Sequence, residues 1–166
     1  MIQLKSFNIE DGKYLVKWIS SELELVQFAG PFFTFPINKE QLEHYLSDPN
    51  RIVFRVESES NQAIGMAEIS IEDNNVVKLA RILIGEKSMR GKGVGTELIN
   101  KLVEYSFSKL KATKVILNVY SWNIGAIKCY QKVGFSQTDK PIEYVRLGNE
   151  VWETIEMEKT INSIVV

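Results

Sequence analysis

The sequence predicts an α+β fold with a central mixed sheet, and three observations carry this prediction. Apolar-rich runs at 51–58, 63–72 and 76–84 are separated only by short turns, which is typical of an antiparallel meander. The apolar spacing then changes to that of a long amphipathic helix over 94–110. A short apolar run at 115–119 follows, so we expect one helical crossover and a pair of parallel strands near the sheet centre.

The segment before the meander predicts one strand, two helices and a loop. The first seven residues alternate well enough for an edge strand, and Asn8 can cap a helix over 9–22. Two prolines and a glycine predict a loop over 27–36. A short helix over 39–47 then leads into the meander.

The segment after the crossover predicts a further helix and a final strand pair. The helix covers 124–132 and ends at Gly134, and the strands cover 135–144 and 151–158. The sheet is thus expected to be mostly antiparallel, with about seven strands flanked by about four helices. Because no repeat, low-complexity tract or linker interrupts the chain, we expect one domain over 1–166.

Composition excludes several classes of function. The chain has 166 residues, and 20 Lys and Arg against 21 Asp and Glu argue against a nucleic-acid-binding protein. A single cysteine, Cys129, and a single histidine, His44, exclude an internal disulfide and leave no metal site to expect. The chain has neither a long apolar run for a membrane span nor a secretory signal, so the sequence predicts a cytoplasmic protein.

A glycine-rich turn between the third meander strand and the long helix is the most informative segment. It reads Arg90-Gly-Lys-Gly-Val-Gly95, and its glycines allow backbone conformations that are closed to other residues. Several N–H groups then gather at the positive end of a helix dipole, which makes a cradle for an anion such as a pyrophosphate. Arg90 and Lys92 add positive charge.

Two better-known phosphate loops do not fit this turn. A Walker loop needs four residues between its first glycine and the Gly-Lys pair, whereas five separate Gly85 from Gly91. It also needs Ser or Thr after the lysine, where this chain has Gly93. The dinucleotide fingerprint requires a glycine at the position of Thr96. Taken alone, the pattern is also compatible with an ordinary tight turn.

A second informative segment contains a strand end and the start of the 124–132 helix. Asn123 lies at the helix entry, and Ala126 and Tyr130 lie four residues apart on one helix face. Each also has an ordinary structural interpretation, Asn123 as a helix cap and Tyr130 as a core residue with its hydroxyl at the boundary.

Together the two segments resemble the GNAT superfamily of N-acetyltransferases. Arg90-Gly-Lys-Gly-Val-Gly95 matches its acyl-CoA pyrophosphate motif, Arg/Gln-x-x-Gly-x-Gly/Ala. Asn123-x-x-Ala126-x-x-x-Tyr130-x-x-x-Gly134-Phe135 matches its second signature. The resemblance implies a three-layer GNAT-like fold, acetyl-CoA as the cosubstrate, and a small-molecule or peptide amine as the acceptor.

The resemblance extends to the predicted N-terminal loop. The loop from Phe28 to Pro36 is similar to that of bacterial members and, more distantly, to that of enzymes that acetylate protein N termini. Superfamily members often pair, so the resemblance also allows a homodimer.

The resemblance assigns roles to individual residues. Backbone groups of Ile82, Leu83 and Ile84 would pair with the pantetheine arm as if it were an added strand. Asn123, with Ala126 on the same helix, would contact the cofactor, and Tyr130 would donate a proton to the departing thiolate. The pyrophosphate would be held by the turn and the helix start, which comprise Arg90, Gly91, Lys92, Gly93, Val94, Gly95 and Thr96.

The chemistry also requires a way to deprotonate the amine. An alkylamine with a pKa near 10.4 reaches its free base at pH 7 at a cost of about 4.6 kcal/mol, which a base, a water chain or desolvation must lower. A phenol donates to a thiolate at a cost of only about 2 kcal/mol. Some relatives carry a glutamate in the strand before the glycine turn, but no carboxylate lies between Val76 and Gly85. We therefore consider Glu68 as the catalytic base, with a solvated carboxylate as the competing interpretation and with His44 and Glu86 as further options.

The aromatic segment 28–35 contains more apolar surface than a free loop should expose. We expect Phe28, Phe32 and Phe33 to line the acceptor side of the cleft, together with Tyr45 and Tyr144. The competing interpretation is that these rings cover the sheet or form a subunit contact.

The sequence thus predicts acetyl transfer to a primary amine by direct attack in a ternary complex. No nucleophile is placed with a base, and Cys129 is expected to be a small buried residue. Two alternatives stay open at this point. A non-catalytic acyl-CoA-binding module would explain the missing strand carboxylate, and a nucleotide-binding protein would use the same glycine turn.

Overall fold

A computed structural model describes residues 1–162, so the last four residues of the predicted domain, 163–166, lie outside the described part. Within it, eight strands form one sheet flanked by five α-helices, which confirms the α+β class with one strand and one helix more than predicted. The elements are β1 (Gln3–Ser6), α1 (Gly12–Trp18), α2 (Glu22–Ala29), α3 (Lys39–Leu46), β2 (Arg51–Glu57), β3 (Ala63–Ile71), β4 (Val76–Ile84), α4 (Val94–Ser108), β5 (Lys114–Tyr120), α5 (Ile124–Val133), β6 (Ser136–Gln137), β7 (Glu143–Leu147) and β8 (Glu150–Thr160).

The sheet confirms the predicted meander and the predicted parallel pair. Strands β1 to β4 pair in sequence order and antiparallel, and β4 pairs with β5 in parallel. Strand β8 pairs antiparallel with β5 and, on its other edge, with β6 and β7. Helix α4 is therefore the crossover between the two parallel central strands.

The N-terminal helices differ from the prediction of one helix over 9–22. Asn8 does act as a cap, but of a 3₁₀ turn over Ile9–Asp11 that precedes α1. Helix α1 ends at Trp18, and α2 begins when the Ser21 hydroxyl accepts a hydrogen bond from the Glu24 amide at 3.2 Å. The apolar spacing runs through this break, so it predicted one long helix. The loop predicted from the prolines and the glycine begins later than expected, because α2 continues to Ala29.

The C-terminal strands also differ in length from the prediction. The expected strand over 135–144 is divided into β6 and β7, and Pro141, which has no N–H to donate, lies between them. Strand β8 is longer than the predicted 151–158.

Each face of the sheet carries its own apolar core, which gives three layers. Helices α4 and α5 cover one face, where Leu98, Leu102 and Val133 pack against residues such as Leu79 and Leu117. Helices α1 to α3 cover the other face near β2 and β3, with a core formed by Phe7, Leu15, Trp18, Ile19, Leu25, Phe33, Ile37, Leu42, Tyr45, Val53, Ala63 and Met66.

Strands β4 and β5 separate halfway along their length, and this fork positions the site. Their pairing covers Val76–Leu79 and Lys114–Leu117, although β4 continues to Ile84 and β5 to Tyr120. The separation coincides with a bulge on β4, where Arg81 and Ile82 stand opposite a single residue of β3. Arg81 has a φ of 46°, in the left-handed region, which bends the strand away from its neighbour.

Candidate active site

A cavity of about 730 Å³ opens at the fork between β4 and β5. Its walls come from the β4 bulge, the end of β5, the start of α5, the segment after α2 and strand β7. Asn123 and Tyr130 line it on one side, and Phe32, Arg51 and Glu68 line it on the other. The fork therefore brings residues from distant parts of the sequence around one cleft that is open to solvent.

The glycine turn at the end of β4 presents a row of free amides. Gly91 and Gly93 have φ values of 72° and 82°, and a side chain at either position would meet no atom within 4 Å. Helix α4 begins directly after Gly93. Within residues 1–162, the amides from Gly91 to Thr96 donate to no backbone carbonyl. These amides and the helix N terminus leave a cluster of donors without backbone partners, which is the geometry expected of an anion cradle.

The two cations of the turn differ in their surroundings. The Arg90 Nε donates to the Ile84 carbonyl at 2.8 Å, which ties the turn to the end of β4. Lys92 is exposed, and no ion pair in the described part of the chain involves it. Lys92 is therefore the cation that is free to follow a phosphate, while Arg90 also fixes the shape of the turn.

The second predicted segment places Asn123 and Tyr130 at the mouth of the fork. The Asn123 side chain accepts from the Ala126 amide at 3.3 Å, so it caps α5 as well as lining the cavity. Among residues 1–162 the Tyr130 hydroxyl has no hydrogen-bond partner, and burial raises the pKa of Tyr130 to about 12. The phenol is thus a proton donor at every pH at which the protein would be assayed, and it is not engaged by another side chain.

Glu68 lies in the cavity wall, and its buried carboxylate contacts three neighbouring side chains. Its side chain is 1% exposed, and it accepts from the Tyr45 hydroxyl at 2.5 Å and from Arg81 Nη1 at 2.7 Å. Arg51 Nε approaches the other oxygen at 3.4 Å. Burial and the charge of Glu68 raise the pKa of Tyr45 far above its usual value, so the phenol remains a donor to the carboxylate. This arrangement fits a positioning role for Glu68, since a proton taken from an amine would disrupt two ion pairs.

The two other candidates for the base face away from the reaction. His44 is exposed on α3 and does not line the cavity. Glu86 accepts from Lys17 Nζ at 2.7 Å and from Trp18 Nε1 at 3.0 Å, and these two hydrogen bonds hold the pKa of Glu86 below its usual value. Glu86 therefore connects the glycine turn to helix α1.

The aromatic segment divides between the cavity and the core beneath it. Phe28 and Phe32 line the cavity, as does the exposed Tyr144 on β7. Phe33 and Tyr45 are 6% and 0% exposed and belong to the core of α1 to α3. The expectation that all of these rings line the cleft is thus wrong for Phe33 and Tyr45, which support Phe32 from behind through edge-to-face contacts of 5.0 and 5.7 Å.

Sequence reasoning missed the two arginines of this site. Arg51 begins β2 and Arg81 lies in the β4 bulge, and both guanidiniums lie within 5.3 Å of the Phe32 and Tyr45 ring centres. The usable signal was the position of Arg81 inside a strand that is apolar except for Lys78, which is a costly place for a charge without a partner.

Residues 1–162 contain no group of three or more His, Cys, Asp or Glu side chains that could hold a metal ion. No helix in the same range is long and apolar enough to cross a membrane. The Cys129 thiol lies 3.5 Å from the Thr96 hydroxyl, between α5 and α4, and has no base beside it.

Comparison with known proteins gives a consistent result. Residues 15–135 match the family described as the Acetyltransferase (GNAT) family. A spermidine N(1)-acetyltransferase of Vibrio cholerae is 30% identical over 117 residues, which cover 70% of this chain and 67% of that enzyme. An aminoglycoside N(6')-acetyltransferase of Klebsiella pneumoniae is 40% identical over 55 residues, 33% of this chain and only 27% of that enzyme.

A solved structure shows the same fold. It is the spermidine N-acetyltransferase of Vibrio cholerae in complex with CoA and spermine, at 22% identity and a TM-score of 0.80. The superposition covers 96% of this chain and 95% of that one, so the three-layer architecture is shared nearly end to end.

Proposed function

The chain belongs to the acetyltransferase (GNAT) family and is an acetyl-CoA-dependent N-acetyltransferase, and we propose that its acceptor is the primary amine of a small molecule. The amine attacks the thioester directly in a ternary complex, without an acyl-enzyme. One observation carries this proposal. The free amides of residues 91–96 lie in the connection between β4, one wall of the β4–β5 fork, and α4, and the cavity at that fork is lined by the unengaged phenol of Tyr130.

The cofactor half of the reaction is supported by backbone groups. In this proposal the amides of Gly91 to Thr96 hold the pyrophosphate, with Lys92 as the neighbouring cation. The pantetheine arm then lies along the edge of β4 that faces the fork, where it would pair with backbone groups of Ile82 in place of β5. The backbone groups of Leu83 face β3 instead, because adjacent strand residues point to opposite edges and Gly85 already donates to Ile64 of β3. The Ile84 carbonyl already accepts from Arg90, so we expect the amide rather than the carbonyl of this residue to remain for the cofactor.

The amine reaches its reactive form without a dedicated base in this proposal. Among residues 1–162, Glu68 is the only buried carboxylate that lines the cavity, and it is bound by two arginines and a tyrosine. At pH 7 about one alkylamine molecule in 2,500 is unprotonated. Solvent in the open cleft can take up the proton before attack, and positioning of amine and thioester then supplies most of the rate.

Tyr130 acts on the leaving group. With its pKa raised to about 12, full proton transfer to a thiolate near 8.5 costs about 5 kcal/mol, more than for an ordinary phenol. We therefore expect Tyr130 to stabilise the developing thiolate by a hydrogen bond. Proton transfer to the CoA sulfur would be completed as the products separate.

Release of free CoA thiol tests the proposed function. Purified protein is mixed with acetyl-CoA and a panel of small amines and N-terminal peptides, and thiol is followed spectrophotometrically. Amine-dependent release by small amines is the expected result, and a preference for peptides would redirect the proposal to protein N termini. CoA binding by calorimetry without any turnover would instead favour the non-catalytic module, and displacement of CoA by ATP would favour the nucleotide-binding alternative.

The homodimer that the resemblance allows and the cytoplasmic location that the sequence predicts stay predictions. Light scattering of the purified protein tests the homodimer, and fractionation of cells that express a tagged chain tests the cytoplasmic location.

A further inference from the structure

We propose that the acceptor carries an oxyanion, a carboxylate or a phosphate ester, that binds to Arg51 and Arg81 in the cavity. This proposal rests on the proposed function and names the class of amine within it. It separates this chain from its polyamine-acetylating relatives, because a polyamine presents only positive charge to the site.

The two guanidiniums are placed on the cavity wall rather than on the outer surface. Their side chains are 17% and 15% exposed, and both residues line the cavity together with Tyr130. Arg81 lies two residues past Leu79, the last residue of β4 that pairs with β5, so it stands at the fork where the thioester is proposed to lie. An anion bound there would hold the rest of the acceptor beside the reacting carbon.

The local charge favours an anion. Two arginines face one carboxylate, Glu68, which leaves one net positive charge in the buried cluster. Asp48 also approaches Arg51, at 3.6 Å, but its side chain is 38% exposed and its charge is screened by solvent.

The other charges of the cavity compensate one another. Glu72 and Lys78 line its far end with opposite signs, and Glu143 pairs with Lys140 at 3.1 Å. The unbalanced charge is therefore at the arginines.

Hydrogen-bonding capacity points the same way. Arg81 uses Nη1 for Glu68, and its buried Nε has no partner among residues 1–162. The Nε and Nη2 edge of a guanidinium is a fork that matches the two oxygens of a carboxylate or phosphate. A buried donor without a partner costs about 1–3 kcal/mol, and a bound oxyanion removes that cost.

Phe32 forms the cover over this site. Its ring centre is 4.4 Å from Arg81 Cζ and 4.7 Å from Arg51 Cζ, while the side chain is 39% exposed. Because Arg81 Nε is buried, an anion that binds its free edge would have to displace this ring or shift the arginine side chain. Phe28 beside it offers apolar surface, which suits an acceptor with an apolar portion.

The test compares acceptors matched except for the anionic group, and each kcat/KM is referred to the concentration of unprotonated amine because that group also changes the pKa of the amine. The pairs are phenylalanine and phenylalaninamide, 5-aminopentanoate and pentylamine, and O-phosphoethanolamine and ethanolamine, with spermidine as the polycation. We expect kcat/KM to be at least tenfold higher for the anionic member of one pair or more, and the third pair separates phosphate from carboxylate. Equal rates within all pairs, or a preference for spermidine, would overturn this inference and leave the acetyltransferase function intact.

Variants then assign the preference to the arginines. Arg51→Gln and Arg81→Gln should remove the tenfold advantage of the anionic acceptor, while Arg51→Lys should restore part of it. Arg146→Gln removes a positive charge from exposed β7 and should preserve the advantage. An advantage that persists in both glutamine variants would show that the anion binds elsewhere.

Binding measurements test the oxyanion site even if no amine is acetylated. N-acetylphenylalanine and N-acetylphenylalaninamide are titrated calorimetrically into the CoA-loaded wild-type protein. We expect at least tenfold tighter binding of the carboxylate. Absence of turnover with every amine would count against the proposed function, whereas equal affinities here would count against the oxyanion site alone.

Discussion

The two walls of the cleft differ in the groups that they present, which are backbone groups on one wall and side chains on the other. The cofactor wall is made of backbone, with free amides on the turn after β4 and an unpaired strand edge before it. The acceptor wall is made of side chains, with two arginines, a buried glutamate and a set of aromatic rings. A backbone wall presents the same groups whatever the neighbouring side chains are, whereas a side-chain wall changes with every substitution. The part of the site formed by backbone groups and the part formed by side chains are thus physically separate.

Tyr130 stands where the two walls meet, and its replacement has the largest expected effect. Tyr130→Phe removes the donor to the leaving thiolate, so we expect kcat to fall on the order of 10²-fold while CoA affinity measured by calorimetry changes little. Tyr105→Phe is the matched control, because this phenol packs on Phe54 in the same core but does not line the cavity. An unaltered kcat in Tyr130→Phe would place the proton donor elsewhere.

Glu68 tests how far the acceptor wall depends on its charge balance. Glu68→Gln leaves two arginines facing a neutral amide, and we expect the free energy of unfolding to fall by about 2 kcal/mol, less than for a fully dry pair because both arginines retain some exposure. Thermal unfolding should shift down by about 6 °C.

The control for this variant is Glu72→Gln, at the exposed position directly after β3 ends at Ile71, which should unfold like the wild type. If the Glu68 variant keeps its stability but loses turnover at every pH, the carboxylate is the base and the positioning role is wrong.

The pH dependence separates solvent deprotonation from a dedicated base. With an alkylamine of pKa near 10.4, kcat/KM should rise about tenfold per unit between pH 7 and 9 because the free-base fraction does so. The pKa of Tyr130 is raised to about 12, so the donor stays protonated and no falling limb should appear in this range. A plateau that begins near pH 7 would reveal a base that the geometry does not provide.

The glycine turn has the smallest expected effect and isolates the backbone wall. Alanine at Gly93 meets no neighbouring atom but must adopt a φ of 82°, which costs about 1 kcal/mol. We expect CoA to bind about fivefold more weakly as the turn relaxes and its amides diverge.

Gly125→Ala is the matched control, since Gly125 has equally open space inside helix α5 and no left-handed requirement. This variant should bind CoA as the wild type does, with a slightly higher melting temperature. Equal losses in both variants would mean that the turn is not the cradle.

The contrast between the walls also explains what the sequence could reveal. The turn from Arg90 to Gly95 is contiguous in sequence, and glycines there indicate a backbone conformation that other residues avoid. The turn and the helix after it were therefore predictable from the sequence. The meander, the crossover and the parallel pair followed from apolar spacing alone and are confirmed.

The acceptor wall was harder because its parts are far apart in sequence. Arg51, Glu68 and Arg81 come together only through the registers of β2, β3 and β4 and through a bulge that no local pattern announces. Similarly, Phe32 and Phe33 are adjacent in the chain, yet one faces the cavity and the other the core. Aromatic content predicted that the segment matters but not which ring faces which way.

The carboxylate of Glu86 ties the two walls together from behind. It belongs to the segment after β4, and it holds Lys17 and Trp18 of helix α1, whose ring also fills the space over Gly85. Since the pKa of Glu86 is lowered, this tie is present at neutral pH and is released only as acid titrates the group below its usual range. The position of the segment after β4 relative to helix α1 is therefore fixed at neutral pH before either substrate binds.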